Sequence, residues 1–153
     1  MWYRCGRLDD RPDGGHGNQP TQPLCGEQDA LARPTAREVA EALLRGGADL
    51  QTQPDLPHGC LAVLSAPSNA EHSSPIGKAL IAARRAGEAA IVERFRRAQS
   101  EGDLPADVDP EQLAAFIRTV VYGMTVQAAS GATRDELERI IELALRAWPH
   151  APD

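Results

Sequence analysis

The stretch 109–149, DPEQLAAFIRTVVYGMTVQAASGATRDELERIIELALRAWP, carries two helices and the turn between them. Asp109-Pro110 is an N-cap followed by the residue favoured at the first helical position, where a missing N–H costs nothing. Behind it Leu113, Phe116, Ile117, Val120, Val121 and Met124 recur at helical spacing, a stripe two turns deep. Ser130-Gly131 ends that helix. Thr133-Arg134-Asp135-Glu136 is a capping box, in which the hydroxyl accepts from the N3 amide and the Glu carboxylate reaches back to the cap. Leu137, Ile140, Ile141, Ala144, Leu145 and Trp148 then keep the i, i+3, i+4 spacing without a miss, and Pro149 stops the run. The short loop makes the two helices antiparallel neighbours. With Tyr122 and Val126 beside its main line, the first stripe is wider than one neighbour needs. It is placed to pack in two directions, inward and against a second subunit.

The same punctuation continues upstream. Thr35-Ala36-Arg37-Glu38 is another capping box, followed by Val39, Ala42, Leu43 and Leu50 near helical spacing, with Gly46-Gly47 weakening the far end. A loop over 51–56 leads through Pro57 to a short apolar helix at 59–66, which Pro67-Ser68-Asn69 breaks. The longest helix should start at Ser74-Pro75, and its apolar line reads Ile76, Leu80, Ala83, Gly87, Ile91, Phe95, Ala98. Gly102 is its C′ stop and Leu104-Pro105 confirms the break. Five helices and no strand signal predict an all-α fold, an antiparallel bundle of about five helices over 34–149. Residues 1–33 differ: Gly14-Gly15-His16-Gly17-Asn18-Gln19-Pro20 and Thr21-Gln22-Pro23 carry linker chemistry with no period of either kind. That segment reads as a disordered or misassigned tail, and 150–153 as a short tail at the other end.

Composition agrees with one helical domain. The chain has 153 residues, 42% hydrophobic and 25% charged, which suffices for a core and argues against wholesale disorder. Aromatics are only 4%, whereas Ala fills 25 positions, a core chemistry suited to close-packed helices. A net charge of −6 and a single Lys, Lys78, argue against this chain gripping a phosphate backbone itself. No apolar run is long enough to span a membrane; the longest is Cys60-Leu61-Ala62-Val63-Leu64. Cys5, Cys25 and Cys60 are odd in number and lack CxxC spacing, so a reduced, cytoplasmic chain is expected.

No catalytic constellation survives inspection. Ser65 has no GxSxG elbow, and His16, His58, His72 and His150 fall in loops or tails without metal-ligand spacing. No cofactor, metal or catalytic residue is expected. Glu88 and Glu93 face Arg84, Arg96 and Arg97 as a solvated charged surface. Cys60 in the first turn of a helix suits a thiol sensor, although Leu61 and Val63 beside it favour an inert buried thiol. Arg118 and Gln127 lie close to an apolar stripe: they are either its solvated edge or the polar groups of a small-molecule pocket.

Several short motifs together resemble one family. They are Pro57-His58-Gly59-Cys60-Leu61-Ala62-Val63, Arg94-Phe95-Arg96-Arg97-Ala98, Glu101-Gly102-Asp103-Leu104-Pro105, Asp109-Pro110, Gly123-Met124-Thr125-Val126-Gln127-Ala128, Gly131-Ala132-Thr133-Arg134-Asp135-Glu136-Leu137 and Ala147-Trp148-Pro149. Over 32–149 the chain resembles the regulatory half of TetR-family transcriptional regulators. The resemblance implies a ligand-binding, dimerising domain whose last two helices form a four-helix bundle with those of a second copy. On that reading Cys60, Leu64, Phe95, Arg118 and Tyr122 are the pocket wall for an unknown small-molecule effector. Phe116, Val120, Met124, Gln127, Leu137, Ile141, Leu145 and Trp148 carry the packing within and between subunits of a homodimer. Such regulators read operator DNA through an N-terminal helix-turn-helix, and residues 1–33 show neither its three helices nor its basic recognition helix. DNA contact is therefore expected only through a reader domain absent from this chain. The alternative is a stand-alone interaction module that pairs with an intact regulator and blocks its DNA binding.

Overall fold

The computed structural model describes residues 25–53 and 75–149, which form five α-helices with no strand among them. They are α1 (Cys25–Leu31), α2 (Ala36–Gln51), α3 (Pro75–Ser100), α4 (Pro110–Ala129) and α5 (Arg134–Arg146). The fold class is as expected, and four of the five described helices are expected ones. The short apolar helix at 59–66 lies outside the described residues, and so does the 150–153 tail. The fifth, α1, emerges from the segment read as a structureless tail. Its seven residues have no period to find, and what holds it is tertiary: Ala30 is buried, and the Arg94 guanidinium binds the chain just after it.

The helix ends follow from local chemistry. Thr35 and Thr133 form complete capping boxes with Glu38 and Glu136. Asp109 accepts from the backbone N–H of Glu111 at 2.9 Å and of Gln112 at 3.3 Å, with Pro110 at the first helical position. The bond from Gln112, with that from Glu111, holds the Asp109 carboxyl below the ordinary carboxylate range. At the other ends Gly102 (φ 79°) and Gly131 (φ 96°) sit in the left-handed region that side chains avoid, which is why glycine stops α3 and α4.

Helix α4 is the centre of the bundle, touching α2, α3 and α5, while α2 also packs on α1 and α5. One core joins them, with Val39, Ala40, Leu44 and Ala48 from α2, Ile91, Phe95 and Ala98 from α3, Ile117 and Met124 from α4, and Leu137 and Ile141 from α5. Phe95 meets the ring of Trp148 edge to face, centroids 5.9 Å apart, which closes the far end of the chain onto α3. Some positions on the expected stripes face outward instead: Ala83 is exposed on α3, as are Phe116 on α4 and Ile140 on α5. Sequence spacing marks an apolar line; it does not say where the line's edge meets solvent.

Polar groups tie the helices together outside the core. The buried Arg94 donates to the carbonyls of Leu31 (3.3 Å), Arg33 and Pro34 (both 2.8 Å), fastening the α1–α2 connection to α3. Asp103 accepts from the Ala36 amide at 2.6 Å, so the α3–α4 loop reaches the N-terminus of α2. Arg134 donates to Asp49 and to Glu138, both at 2.6 Å, and Arg45 donates to Glu138 at 3.1 Å, linking α2 to α5. These bonds, from Arg134 first and then Arg45, lower the Glu138 pKa from its ordinary value of 4.5.

Two outcomes test this packing. Phe95→Ala should lose about 3–5 kcal/mol of unfolding free energy in urea titrations, because the site is fully buried and Trp148 cannot fill the void. A carboxyl whose pKa is lowered by folding stabilises fully above its unfolded value and loses that effect as the pH falls through its folded value. The stability gap between the wild type and Glu138→Gln should therefore be widest at neutral pH and close below 4.5.

Candidate functional site

At about 3.6 residues per turn, α4 presents three separate faces. Ile117, Met124 and Ala128 face the core and are buried. Phe116, Thr119, Gly123, Val126 and Gln127 are exposed. Arg118, Tyr122 and Thr125 form a third, polar row turned toward α1, α2 and α3. That interior row holds the polar side chains that α4 turns toward its neighbours.

The Arg118 side chain is 16% exposed and its partner Glu27, reaching across from α1, is 12% exposed. Arg118 Nη1 donates to Glu27 Oε1 at 3.1 Å, and Nη2 lies within hydrogen-bond reach of the Tyr122 hydroxyl and 3.4 Å from the Arg84 carbonyl. The guanidinium also sits over the Tyr122 ring, 4.9 Å from its centroid. Its third nitrogen, Nε, is buried with no hydrogen-bond partner. Gly87 on α3 makes the approach possible, since a Cβ there would lie 2.8 Å from Glu27 Oε1 and 3.3 Å from Arg118 Nη1. About two turns further along α4, Thr125 accepts from Gln51 Nε2 at 2.6 Å and donates to the Val121 carbonyl at 3.0 Å. Gln51 Oε1 is buried and unpartnered. The row thus holds one unused donor and one unused acceptor, each costly to leave unpaired in a protein interior.

Of the five residues expected to wall a pocket, the structure brings together only Arg118 and Tyr122. Phe95 belongs to the core beside Trp148 instead, and Cys60 and Leu64 lie outside the described residues, as do all four His. Sequence reasoning missed Glu27, Gln51 and Gly87. Glu27 is 91 residues from its partner, a distance at which no spacing rule operates.

The expected dimer residues divide in the same way. Met124, Leu137, Ile141, Leu145 and Trp148 are buried within one chain. Phe116 and Gln127 are exposed and Val120 is half-buried. The exposed large hydrophobics among the described residues are Phe116 (42%), Val126 (52%), Ile140 (37%) and Leu143 (63%), all on α4 and α5. Where α4 begins and α5 ends, an open cavity of about 390 Å³ lies beside Phe116, Leu113 and Pro149. Among the described residues no group of acidic, His or Cys side chains is placed to hold a metal ion, and no helix is long and apolar enough to cross a membrane.

Gly87→Ala separates the two demands on this site. It gains about 1 kcal/mol of helix propensity, while the Glu27 carboxylate, the end of a flexible side chain, has to shift by a few tenths of an ångström beside Arg118. Thermal unfolding should show a gain smaller than that full amount. Gly123→Ala, which meets nothing within 4 Å, should instead be neutral or stabilising by up to about 1 kcal/mol.

Comparison with known proteins gives a consistent set of relatives. The family described as tetracyclin repressor-like, C-terminal domain, matches residues 37–145. The HTH-type transcriptional repressor ComR of Escherichia coli is 28% identical over 98 residues, which are 64% of this chain and 47% of that protein. The chain thus spans about half the length of the curated relative it matches. A cysteine-substituted variant of the TetR family transcriptional regulator CifR, solved with 26-base-pair operator DNA, superimposes with a TM-score of 0.73 at 41% identity, covering 80% of this chain and 65% of that one. A TetR transcriptional regulator from a Rhodococcus species gives 0.71 at 36% identity over 82% and 67% of the two chains. These relatives are transcriptional regulators, in keeping with the non-enzymatic reading of the sequence. The expectation of a missing DNA reader falls on residues that are mostly undescribed, 1–24 of its 33.

Proposed function

Since the chain belongs to the tetracycline-repressor-like C-terminal domain family, all-α and homologous to transcriptional regulators, we propose that it is an effector-sensing, dimerising regulatory domain. The observation that carries the dimer is the distribution of exposed apolar side chains. Phe116 and Val126 are exposed on α4, and Ile140 and Leu143 on α5, the last two helices, where water would otherwise cover them. Each of these helices already buries a separate stripe inside its own chain. A second copy presents the same face, so the contact is isologous and closes about a two-fold axis. Gly123 on that face has nothing within 4 Å of its Cβ position, which lets another helix approach closely. Arg139, Glu142 and Arg146, all exposed on α5, supply a charged rim of mixed sign.

The effector reading rests on the polar row along α4. A guanidinium with an unused donor and an amide with an unused acceptor suit a small molecule held by a few polar contacts in a largely apolar interior. An effector that favours one arrangement of α1 against α3 and α4 would bias whatever those helices connect to, with a coupling set by its difference in affinity for the two states. Operator recognition, as in the CifR complex, belongs to the regulator of which such a domain is part.

Multi-angle light scattering at tens of micromolar tests the dimer. The wild-type chain should run as a dimer, whereas Val126→Glu combined with Leu143→Glu should run as a monomer with unchanged helical circular dichroism. A wild-type monomer, or a doubly charged variant that remains dimeric, contradicts this assignment of the face.

A further inference from the structure

We propose that the exposed charges of α5 select its partner: they seat α5 antiparallel on α5 of a second copy and disfavour a chain whose last helix carries another charge order. The inference rests on the dimer reading above and adds what chooses the second subunit. Asp135, Arg139, Glu142 and Arg146 follow one another at helical spacing, so they stand on one line of α5, and all four are exposed. On the adjoining flank Arg134 and Glu138 are already spent on Asp49 and Arg45 of α2. The four are not spent. Among the described residues none of their side chains forms an ion pair or hydrogen bond, although Arg37–Glu41 and Arg97–Glu101 do at i, i+4 spacing. Arg139 adds only the smallest of the influences that lower the Glu136 pKa. Beside this charged line runs a second exposed one, Glu136, Ile140, Leu143 and Ala147, with the same spacing.

From N- to C-terminus the charged line reads negative, positive, negative, positive. Laid parallel on a copy of itself, it sets like charge on like at every position. Laid antiparallel, it sets opposite on opposite. The inner pair, 139 and 142, and the outer pair, 135 and 146, share one midpoint between Ile140 and Ile141. A two-fold axis at that point therefore satisfies every position at once. Asp135 meets the partner's Arg146, Arg139 meets the partner's Glu142, and symmetry supplies the reverse pairs. The same register lays the exposed Ile140 and Leu143 over their own counterparts, which takes them out of water. Exposed ion pairs add little affinity each, whereas opposed like charges penalise a wrong partner, so the line acts chiefly on the choice of partner.

Sedimentation equilibrium on the full chain tests the pairing, with circular dichroism confirming that each variant keeps its helices. Arg139→Glu and Glu142→Arg each place two like-charge contacts in the dimer, and each should raise its dissociation constant at least tenfold. The swap that combines Arg139→Glu with Glu142→Arg restores opposite signs at every facing position and should restore wild-type affinity. An equimolar mixture of the two single variants should form a mixed dimer tighter than either variant alone, because each then supplies the charge that the other lacks. In about 1 M sodium chloride, where charges are screened within about 3 Å, these differences should shrink. Single variants as tight as the wild type, a swap no tighter than the single variants, a mixture no tighter than its components, or differences unchanged by salt would each overturn the proposal and leave the dimer standing. A wild-type monomer would instead overturn the dimer reading, and the pairing with it.

Discussion

A helix of 20 residues has a fixed circumference, and α4 must serve three different environments around it. Its positions 117, 124 and 128 are sealed in the core, 118, 122 and 125 face a polar seam, and 116, 123, 126 and 127 face outward. Rotation of α4 by a single position, about 100°, would drive Arg118 into the core or expose Met124. Either change costs several kcal/mol, the first through desolvation of an unpaired charge and the second through lost apolar burial. The register of α4 is therefore fixed by two opposed penalties, and its neighbours take their positions from it. Helix α2 contacts it through Gly47, close to Val121, and through the Gln51–Thr125 bond; α3 contacts it through Gly87.

Two arginines carry the charge that this interior tolerates, and they do so by different means. Arg94 donates through Nε and Nη2 to three backbone carbonyls, which bear only partial charge, and fastens the α1–α2 connection, while its buried Nη1 has no hydrogen-bond partner. Arg118 is paired with a full negative charge from an element distant in sequence. Replacing a buried pair with apolar groups is often neutral or stabilising, so such a pair is a poor device for stability alone.

Legibility from the sequence follows the range of each interaction. The capping boxes at Thr35 and Thr133, Asp109-Pro110, and the stops at Gly102 and Gly131 are all decided within four residues, and all are found where the sequence places them. Helix α1 was invisible because nothing within its seven residues requires it; Arg94 lies 61 residues from the Arg33 carbonyl it holds. The apolar stripes of α4 and α5 were legible as stripes, but not their division between interior and surface. Met124, Leu137, Ile141, Leu145 and Trp148 fit a dimer face by spacing alone, yet they are the core, and the outward apolar residues are Val126, Ile140 and Leu143 beside Phe116. An amphipathic period reports that a face is buried and is silent about what buries it.

The same limit explains why Arg118 looked ambiguous. A lone Arg beside an apolar stripe reads equally as a solvated edge or as a buried anchor until its partner is known. The decision comes from Glu27, whose carboxylate accepts from Arg118 at 3.1 Å across from α1, with Gly87 leaving room beside it. Glycine inside a helix costs about 1 kcal/mol relative to alanine, and α3 accepts that cost in the middle of its 26 residues. Nothing in the local structure of α3 requires it, as Gly87 lies in ordinary helix, away from either end. The requirement arises in the space that Arg118 and Glu27 share. A residue that weakens its own helix to make room for a charge pair has its explanation in that pair.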